Sequence, residues 1–531
     1  MRIEIRHGGH VMSDTSARGA EVASIQDLPL MAAAPEATTP FDYMFRAEAE
    51  DPASRLPQDD PPAMVAALKA LGAAMLENPP ADGNNSVIPP IYTYWGQFVD
   101  HDLTANTDRD SKVSDITRDD LVPIAPAEVV ENLRNLRDPR LELDSVYEDA
   151  PRRDQMYLKV GSNATGRGIP GEVPPDPADL ERDLPRGADR KAQIGDPRND
   201  ENLVVAQLHT AFLRFHNAAV DWVLGNEQHY QGPAAVFNRA QQLTRWHYQW
   251  LVVHDYLETL TRAGTVDRVL LGGNRHYQPE GEPFMPLEFS VAAFRFGHSM
   301  IRAGYDHNRN FGRGASPTRP FATLDDLFQF TGNHNPPLGG SATLPFNWII
   351  EWDRFVDKGS PFANRFARKI DTNLAFPLSE MINEGNTAPT PAIGALLKHL
   401  AQRNLLRGYL LSLPTGQAIA DAMGVAALTP AQVLRGDGGS LDQALTAGGF
   451  DGRTPLWYYV LKEAEVHGNG NTLGEVGSRL IAETLIGQLR HDPDSYLNVK
   501  GGWSPAQGVR TRAGDLVVTI RDFLHCAGLP A

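Results

Sequence analysis

The stretch WGQFVDHDLT, Trp95–Thr104, places a glutamine, an aspartate, a histidine and a second aspartate within six residues of one predicted helix. With 3.6 residues per turn, Gln97 and His101 are four residues apart and share a face, and Asp100 lies close beside them. Asp102 is rotated away from that face. A helical histidine with such neighbours can act as a general base at a cofactor, although most helical histidines only pack or face solvent. This stretch alone leaves both interpretations open.

Length, composition and charge narrow the class of protein. The chain has 531 residues, 41% hydrophobic content and a formal net charge of −17. These values suit one large domain with a substantial core, and the negative charge disfavours nucleic acid and anionic membrane surfaces as partners. The single cysteine, Cys526, excludes an internal disulfide. Because neither an apolar signal core nor a membrane-spanning run is visible, we expect cytoplasmic residence by default, with leaderless secretion as the alternative.

Helical periodicity dominates the chain after an irregular N-terminal region. Residues 1–58 lack sustained periodicity and are predicted to form a partly ordered arm, with the main domain over residues 59–531. Residues 105–190 form a polar, proline-rich excursion of loops. Strand-like alternation is scarce, so the predicted fold class is mainly α, a single large helical domain with long loops and little β structure. The clearest helical segments read PAMVAALKALGAAML, YTYWGQFVDHDLT, ENLVVAQLHTAFLRFHNAAVDWVL and LEFSVAAFRFGHSMI.

Three further segments accompany the first: LELDSVY at residues 141–147, RNDE at 198–201 and FRFGH at 294–298. In their order, the four segments resemble the animal haem peroxidase family, also called the peroxidase–cyclooxygenase superfamily, and most closely its bacterial members. The resemblance extends from about residue 82 to about residue 496. It implies one helical haem peroxidase domain, haem b as cofactor and hydrogen peroxide as oxidant. It also implies small electron donors such as phenols, iodide, bromide or thiocyanate.

The resemblance assigns a role to each polar residue that matches the family's peroxide-reducing centre. His101 matches the distal base, and Gln97 matches a distal glutamine that positions water or a small anion. Arg198 matches the distal arginine, whose fixed cation favours O–O cleavage. His298 matches the proximal ligand of the haem iron, and Gly297 beside it leaves room for a flat macrocycle.

Two carboxylates match positions that attach the haem covalently in many family members. Asp100 and Glu201 correspond to the acids that form ester links to haem methyl groups, so a doubly ester-linked haem is one expectation. Buried acids with other partners, or solvated acids, are the alternative. Asn202 stands where members with a third, sulfonium link have a methionine, so we expect no such link.

On the proximal side the resemblance implies two supporting residues. Arg295 matches an arginine that pairs with a haem propionate. The family also has an asparagine that accepts a hydrogen bond from the proximal histidine. A direct match places Leu400 at that position, and Asn404 is the nearest asparagine, which makes it our candidate.

The acidic segment DPRLELDS, which begins at Asp138, is a candidate calcium site. An extended loop would place alternate oxygens on one side, and the evenly spaced ones come from Asp138, the Arg140 carbonyl, Glu142 and Asp144. Hard oxygen ligands in this number suit Ca²⁺ better than zinc or copper. Asp102 from the distal helix would complete the shell. The family usually has threonine where Asp138 stands, and a solvated acidic loop is the alternative.

Two other functions compete with peroxide reduction. Fatty-acid oxygenases of the same superfamily have a radical-bearing tyrosine three residues before the proximal histidine, where this chain has Arg295. A non-catalytic haem- or calcium-binding adhesion module would not need both His101 and Arg198. We therefore predict a haem peroxidase.

Overall fold

The computed structural model describes residues 2–5, 9–12, 39–77, 84–107, 115–118, 121–163, 179–314 and 319–531. Over these ranges the fold is mainly α, as the periodicity predicts. The α-helices are α1 Arg46–Glu50, α2 Pro61–Ala74, α3 Ile91–Leu103, α4 Pro126–Asn132, α5 Asp144–Tyr147, α6 Leu203–Asn226, α7 Pro233–Leu251, α8 Glu258–Leu260, α9 Thr265–Gly272, α10 Leu324–Gln329, α11 Asp353–Val356, α12 Pro391–Lys398, α13 Leu400–Leu410, α14 Gly416–Ala422, α15 Pro430–Val433, α16 Ser440–Ala447, α17 Leu456–Gly468, α18 Glu475–His491 and α19 Ile520–Cys526.

The strands are short and lie at the margins of the helical core. They are β1 Arg2–Ile5, β2 Gly9–Met12, β3 Thr39–Asp42, β4 Leu76–Glu77, β5 Asn106–Thr107, β6 Arg134–Asn135, β7 Met285–Pro286, β8 Gly304–Tyr305, β9 Ala322–Thr323 and β10 Leu374–Ala375. In the four-stranded sheet the order is β5-β6-β3-β7, with β3 antiparallel to β6 and parallel to β7. None of the helices in the described ranges is long and apolar enough to cross a membrane.

Helix α3 lies at the centre of the core and is buried along almost its whole length. Its Trp95 and Phe98 side chains pack into an aromatic cluster with α6, α7 and α19. The Phe98 and Phe212 rings stack at 4.3 Å between centroids, and Trp95 meets Phe523 edge-on at 5.5 Å. Aromatic pairs of this kind contribute about 0.5–1.5 kcal/mol each beyond their buried area. The apolar face of α3 is thereby fixed, and the polar face carrying Gln97 points elsewhere.

The predicted helix over LEFSVAAFRFGHSMI, residues 287–301, is helical but not a regular α-helix. It consists of a π-helical stretch, Glu288–Ala292, followed by the 3₁₀ segment Ala293–His298. The 3.6-residue pattern in the sequence could not distinguish these geometries, which differ by less than one residue per turn from the α-helix. In a 3₁₀ helix residues three apart are eclipsed, so Arg295 and His298 project to the same side. A second π-helical stretch, Val252–Leu257, continues α7.

The segment 39–58 packs on the helical core. Phe41 and Phe45 are buried, and the Met44 and Phe45 backbone N–H groups each donate to the Glu288 carboxylate at 2.9 Å. This contact joins the segment to the π-helical stretch that precedes His298. The division into an arm over residues 1–58 and a domain over 59–531 stays a prediction.

Candidate functional site

A cavity of about 860 Å³ is lined by α3 and by the 3₁₀ segment that ends at His298. The charged, imidazole and amide side chains that line the cavity are Gln97, Asp100, His101, Arg198, Asn202, Arg295 and His298. The structure therefore brings together, in one cavity, the predicted distal residues, the predicted proximal ligand, Asp100 and Arg295.

The α3 side of the cavity is held by hydrogen bonds to the segment that leads into α6. The Gln97 amide nitrogen donates to Glu201 Oε1 at 2.6 Å, and its oxygen accepts from Asn202 Nδ2 at 2.9 Å. His101 Nδ1 lies 2.9 Å from Asn199 Oδ1, while His101 Nε2 lies 3.4 Å from Glu201 Oε1. The ring orientation of His101 is thus fixed through Nδ1, and Nε2 is the nitrogen beside Glu201.

Arg198 is fixed by a buried carboxylate and by α3. Its guanidinium donates to Asp196 through Nε, at 3.1 Å to each carboxylate oxygen, and through Nη2 at 2.6 Å. Nη2 also donates to the His101 carbonyl at 2.9 Å. Arg137 Nη2 reaches the same carboxylate at 2.8 Å. Burial alone would raise the pKa of Asp196, but the Arg198 and Arg137 cations outweigh it and hold that pKa well below its usual range. Asp196 therefore stays ionised and holds Arg198 in one orientation at the cavity.

The proximal side has the predicted hydrogen-bonding group. The Asn404 side-chain nitrogen Nδ2 lies 2.8 Å from His298 Nδ1, so the amide donates here, whereas the predicted asparagine accepts. Rotating the amide by 180° would bring its oxygen to Nδ1. Leu400, at the position of the direct match, instead lines the cavity. The Trp457 ring lies 6.4 Å from the His298 ring, and its indole N–H donates to the Arg295 carbonyl at 3.1 Å. Nδ1 is engaged by α13, so Nε2 is the ring nitrogen suited to a metal ligand.

The cavity's own residues fit a flat cofactor with anionic tails. A Cβ built on Gly297 would meet no heavy atom within 4 Å, so the backbone there faces open space. Burial lowers the pKa of the Arg295 guanidinium, and a buried cation of this kind is stabilised by a carboxylate. Asp100 lines the cavity and accepts from the Thr104 hydroxyl at 3.1 Å. The Glu201 carboxylate lies behind it, buried against Gln97 and His101.

Asp102 lies on the side of α3 that faces the acidic loop. Its carboxylate accepts from the Ser145 hydroxyl at 2.8 Å and from the Leu143 backbone N–H at 3.2 Å. Asp144 is its neighbour, and the charge of Asp102 contributes to a raised pKa of Asp144. Burial raises the pKa of both. Asp144 also lies 3.4 Å from Arg137 Nη1, and its Oδ1 is a buried atom without a hydrogen-bond partner in the described part of the chain.

The expectation of a uniformly extended loop at DPRLELDS is wrong. Leu141 and Leu143 have φ values of 56° and 61°, and α5 begins at Asp144. Left-handed residues reverse the direction of the backbone, so alternate side chains do not share one side.

As a result, the acidic side chains of this loop diverge toward arginines. Asp138 pairs with its near neighbour Arg140 through Nε at 2.7 Å, and Glu142 lies 3.6 Å from Arg245. The Arg140 carbonyl faces the Gln249 amide at 3.4 Å. Among the described residues no group of three or more His, Cys, Asp or Glu side chains is arranged to hold a metal ion. Only Asp102 and Asp144 of the predicted calcium ligands lie together.

Several residues of the site were not predicted from the sequence. Asp196 had a signal, because an Asp-Pro-Arg sequence favours a turn in which the aspartate caps the following backbone; its Oδ1 accepts from the Arg198 N–H at 2.9 Å. No sequence signal pointed to Asn199 or His209, because Asn199 looks like an ordinary residue at a helix start and His209 like an ordinary packing residue. Tyr256 lines the cavity because α3 has Gly96 opposite it, where a Cβ would collide with the tyrosine hydroxyl.

Comparison with known sequences relates the central part of the chain to one family. Residues 127–331 match the sequence model of the family described as animal haem peroxidase. Peroxidasin homolog pxn-2 of Caenorhabditis elegans is 27% identical over 168 residues, which cover 32% of this chain and 12% of the relative. Mouse eosinophil peroxidase is 24% identical over 265 residues, which cover 40% of this chain and 36% of the relative. The chain thus spans well under two thirds of these relatives.

Comparison with solved structures shows that the fold of nearly the whole chain is similar to that of known proteins. Peroxidase A from Dictyostelium discoideum superimposes with a TM-score of 0.56 at 14% identity, covering 92% of this chain and 95% of that one. Fatty acid alpha-dioxygenase from Oryza sativa gives a TM-score of 0.53 at 12% identity, with 93% and 78% coverage. At these identities the likeness concerns the fold, and the choice between the two chemistries depends on the site residues.

Proposed function

We propose that this chain, a member of the animal haem peroxidase family, binds haem b in the cavity beside α3 and reduces hydrogen peroxide there. One observation carries the proposal. A single cavity is lined by the acid–base and cationic residues His101 and Arg198 and by His298, whose Nδ1 is engaged by Asn404. When bound, the haem supplies the iron at which peroxide receives two electrons. His298 Nε2 would hold that iron, and Asn404 would orient the ring.

The side chains of the protein transfer the proton and stabilise the charge that develops during the reaction. His101 Nε2 takes the proton from the near peroxide oxygen and delivers it to the far one as water leaves. Arg198, fixed by Asp196, stabilises negative charge on the leaving oxygen without having to reorganise. Gln97, held between Glu201 and Asn202, positions water or a small anion. Arg295 would pair with a haem propionate.

Covalent attachment of the haem through Asp100 and Glu201 is a finer proposal. Asp100 lines the cavity, whereas the Glu201 carboxylate must turn from Gln97 to reach a haem methyl group. Replacing both acids with alanine should make the haem extractable by acidified organic solvent. The unsubstituted protein should retain its haem under the same treatment. Extraction of the haem from the unsubstituted protein would reject the ester links and leave the peroxidase proposal intact.

Calcium binding beside the distal helix is also proposed, on a reduced set of ligands. Asp102 and Asp144 are close enough for their charges to interact, and Asp144 Oδ1 has no hydrogen-bond partner in the described part of the chain. A divalent cation between the two carboxylates would neutralise both. Asp138, Glu142 and the Arg140 carbonyl would join the shell only if their present arginine and glutamine partners were displaced.

The donors we propose are phenols and small oxidisable anions: iodide, bromide or thiocyanate. The fatty-acid oxygenase alternative shares the fold, but its radical-bearing tyrosine is replaced by Arg295, which lines the cavity. A buried cation beside the haem position is unsuited to forming a tyrosyl-type oxidant. No specific contact favours that second function.

The test compares haem-loaded His101→Ala with the unsubstituted protein in oxidation of guaiacol and of iodide by peroxide. Loss of the acid–base group should lower the rate by a factor of about 100 to 10,000 at unchanged haem content. His216→Ala is the matched control, since His216 is equally buried on α6 but bonds Tyr147 instead of lining the cavity. Equal rates in His101→Ala and His216→Ala would refute the assigned base.

A further inference from the structure

A line of three side chains runs from the cavity into the core behind α3. His101 Nδ1 lies 2.9 Å from Asn199 Oδ1, and Asn199 Nδ2 lies 3.0 Å from His209 Nδ1. All three are buried, with Asn199 and His209 at 0% exposure. Such a connected chain couples the two hydrogen bonds, because the amide accepts at one end and donates at the other. Here Oδ1 faces His101 and Nδ2 faces His209.

The direction of the amide determines where each imidazole carries its proton. A carbonyl oxygen only accepts, so His101 Nδ1 must be protonated to donate to Asn199. The Asn199 NH₂ group only donates, so His209 Nδ1 must carry the lone pair and its proton must lie on Nε2. A neutral imidazole has one donor and one acceptor nitrogen. His101 Nε2, the nitrogen beside Glu201, is therefore left with its lone pair.

His209 is built to remain the neutral acceptor at the far end. Burial lowers the pKa of its imidazole to about 3, so it is unprotonated near neutrality. Its ring meets Phe98 edge-on at 6.1 Å, within the aromatic packing that fixes α3 against α6. Its Nε2 is buried without a hydrogen-bond partner in the described ranges. The neutral ring can therefore offer Nδ1 as an acceptor to the Asn199 NH₂ group, the orientation that the structure shows.

We propose that Asn199 and His209 are positioning residues that hold His101 with its proton on Nδ1, so that Nε2 faces the cavity as a base. The role of His101 as a base rests on the proposed peroxidase activity. The tautomer of His101 does not depend on that activity. The free imidazole prefers its proton on Nε2, which would make His101 a donor to Glu201 and unable to take a proton from peroxide. Asn199 reverses this preference. Because Nδ1 keeps its proton in both imidazole and imidazolium, the bond to Asn199 persists while Nε2 gains and returns a proton.

The reversed amide is the competing arrangement. It would point the Asn199 NH₂ group at His101 and its oxygen at His209, and it would place both histidine protons on the opposite nitrogens. Without an acceptor at position 209, neither His101 nor Asn199 would disfavour the reversed amide. His209 therefore acts on His101 through Asn199, without contact with the cavity.

The test is nitrogen-15 NMR of the full chain labelled at histidine, without added haem, with the His101 signals assigned by their loss in His101→Gln. We expect a protonated Nδ1 and an unprotonated Nε2 in the unsubstituted protein. Asn199→Leu and His209→Leu should move the proton toward Nε2. Asn199→Asp keeps an acceptor for Nδ1 and should preserve the tautomer, and His216→Leu is the matched buried-histidine control. A proton on Nε2 in the unsubstituted protein, or an unchanged tautomer in Asn199→Leu, would overturn the proposal.

A kinetic measurement separates this proposal from the peroxidase proposal. With haem content matched, Asn199→Leu should react with peroxide at least about tenfold more slowly, and Asn199→Asp should recover most of the rate. If the unsubstituted protein does not react with peroxide, the proposed function fails while the NMR result still decides the tautomer. If it reacts and Asn199→Leu reacts equally fast, the positioning role fails alone.

Discussion

At the scale of single residues, Arg198 owes its position to a carboxylate that the motif comparison did not include. Asp196 contacts both Arg198 and Arg137, at 2.6 and 2.8 Å, and is fully buried. An arginine side chain has several rotatable bonds, and without this partner its cation would not stay at one point of the cavity. The same aspartate connects the cavity to the acidic loop, because Arg137 also approaches Asp144.

Asp196→Asn should therefore impair both stability and peroxide reaction. Removing one partner of a buried ion pair leaves uncompensated cations, which typically costs about 3–5 kcal/mol of unfolding free energy. Displacement of Arg198 should slow the peroxide reaction by about 100-fold. Urea unfolding and stopped-flow absorbance of the haem-loaded protein measure the two effects.

Asp306→Asn provides the matched control. Asp306 is also buried and also bridges two arginines, Arg354 at 2.5 Å and Arg365 at 2.6 Å, away from the cavity lining. It should lose comparable stability without a change in peroxide rate per bound haem. If both variants slow the reaction equally, Asp196 has only a structural role.

At the scale of elements, the π-helical stretch Glu288–Ala292 connects the N-terminal segment 39–58 to the 3₁₀ segment that ends at His298. Its Glu288 carboxyl accepts two backbone N–H groups, yet burial outweighs them and raises its pKa from 4.5 to about 7. The folded state thus favours the protonated acid. The stability from this group is full below about pH 4.5 and is lost as the pH rises to about 7.

Glu288→Gln should remove this pH dependence. The unfolding free energy of the unsubstituted protein, relative to the variant, should fall by about 3 kcal/mol between pH 4.5 and pH 7. Urea titrations at the two pH values give this difference, and Glu50→Gln on the exposed face of α1 should show no such change. If the unfolding free energies of the unsubstituted protein and Glu288→Gln differ by the same amount at both pH values, Glu288 does not titrate between pH 4.5 and pH 7, and the prediction is wrong.

The loop from Asp138 to α5 carries the calcium proposal. Ca²⁺ at 100 times its dissociation constant should raise the unfolding free energy by about 2.7 kcal/mol, and Asp144→Asn should abolish the increase. Thermal unfolding in Ca²⁺, in Mg²⁺ and in chelator tests this, because Mg²⁺ demands a smaller octahedral cage. Identical melting curves in all three solutions would show that arginines alone neutralise the loop.

At the scale of the whole molecule, the sequence predicted what depends on local pattern. Helical periodicity gave the class and placed α2 and α3 to within a residue or two, and the 3.6-residue turn correctly put Gln97 and His101 on one face. The resemblance supplied His298, far along the chain, as part of the same site. Even Asn404, displaced by one turn from the direct match, contacts His298 because helical neighbours four apart share a face.

The parts that could not be predicted are those set by long-range contacts. The bond from Asn199 to His101 joins residues 98 positions apart, and the shift from π to 3₁₀ geometry before His298 leaves no trace in hydrophobic spacing. The prediction of an extended acidic loop was wrong for a related reason. Two leucines in the left-handed region turned its side chains toward Arg140 and Arg245, and neither the strain nor the partners are visible in the motif.

One absorption experiment tests whether the cavity beside α3 binds haem and reduces peroxide. It compares the spectrum of the haem-loaded protein before and after one equivalent of hydrogen peroxide. We predict a Soret band that shifts on adding peroxide and returns on adding a phenol or iodide, with the first change much slower in His101→Ala. A Soret band that does not respond to peroxide in the unsubstituted protein would contradict the assignment of this cavity as a peroxidase site.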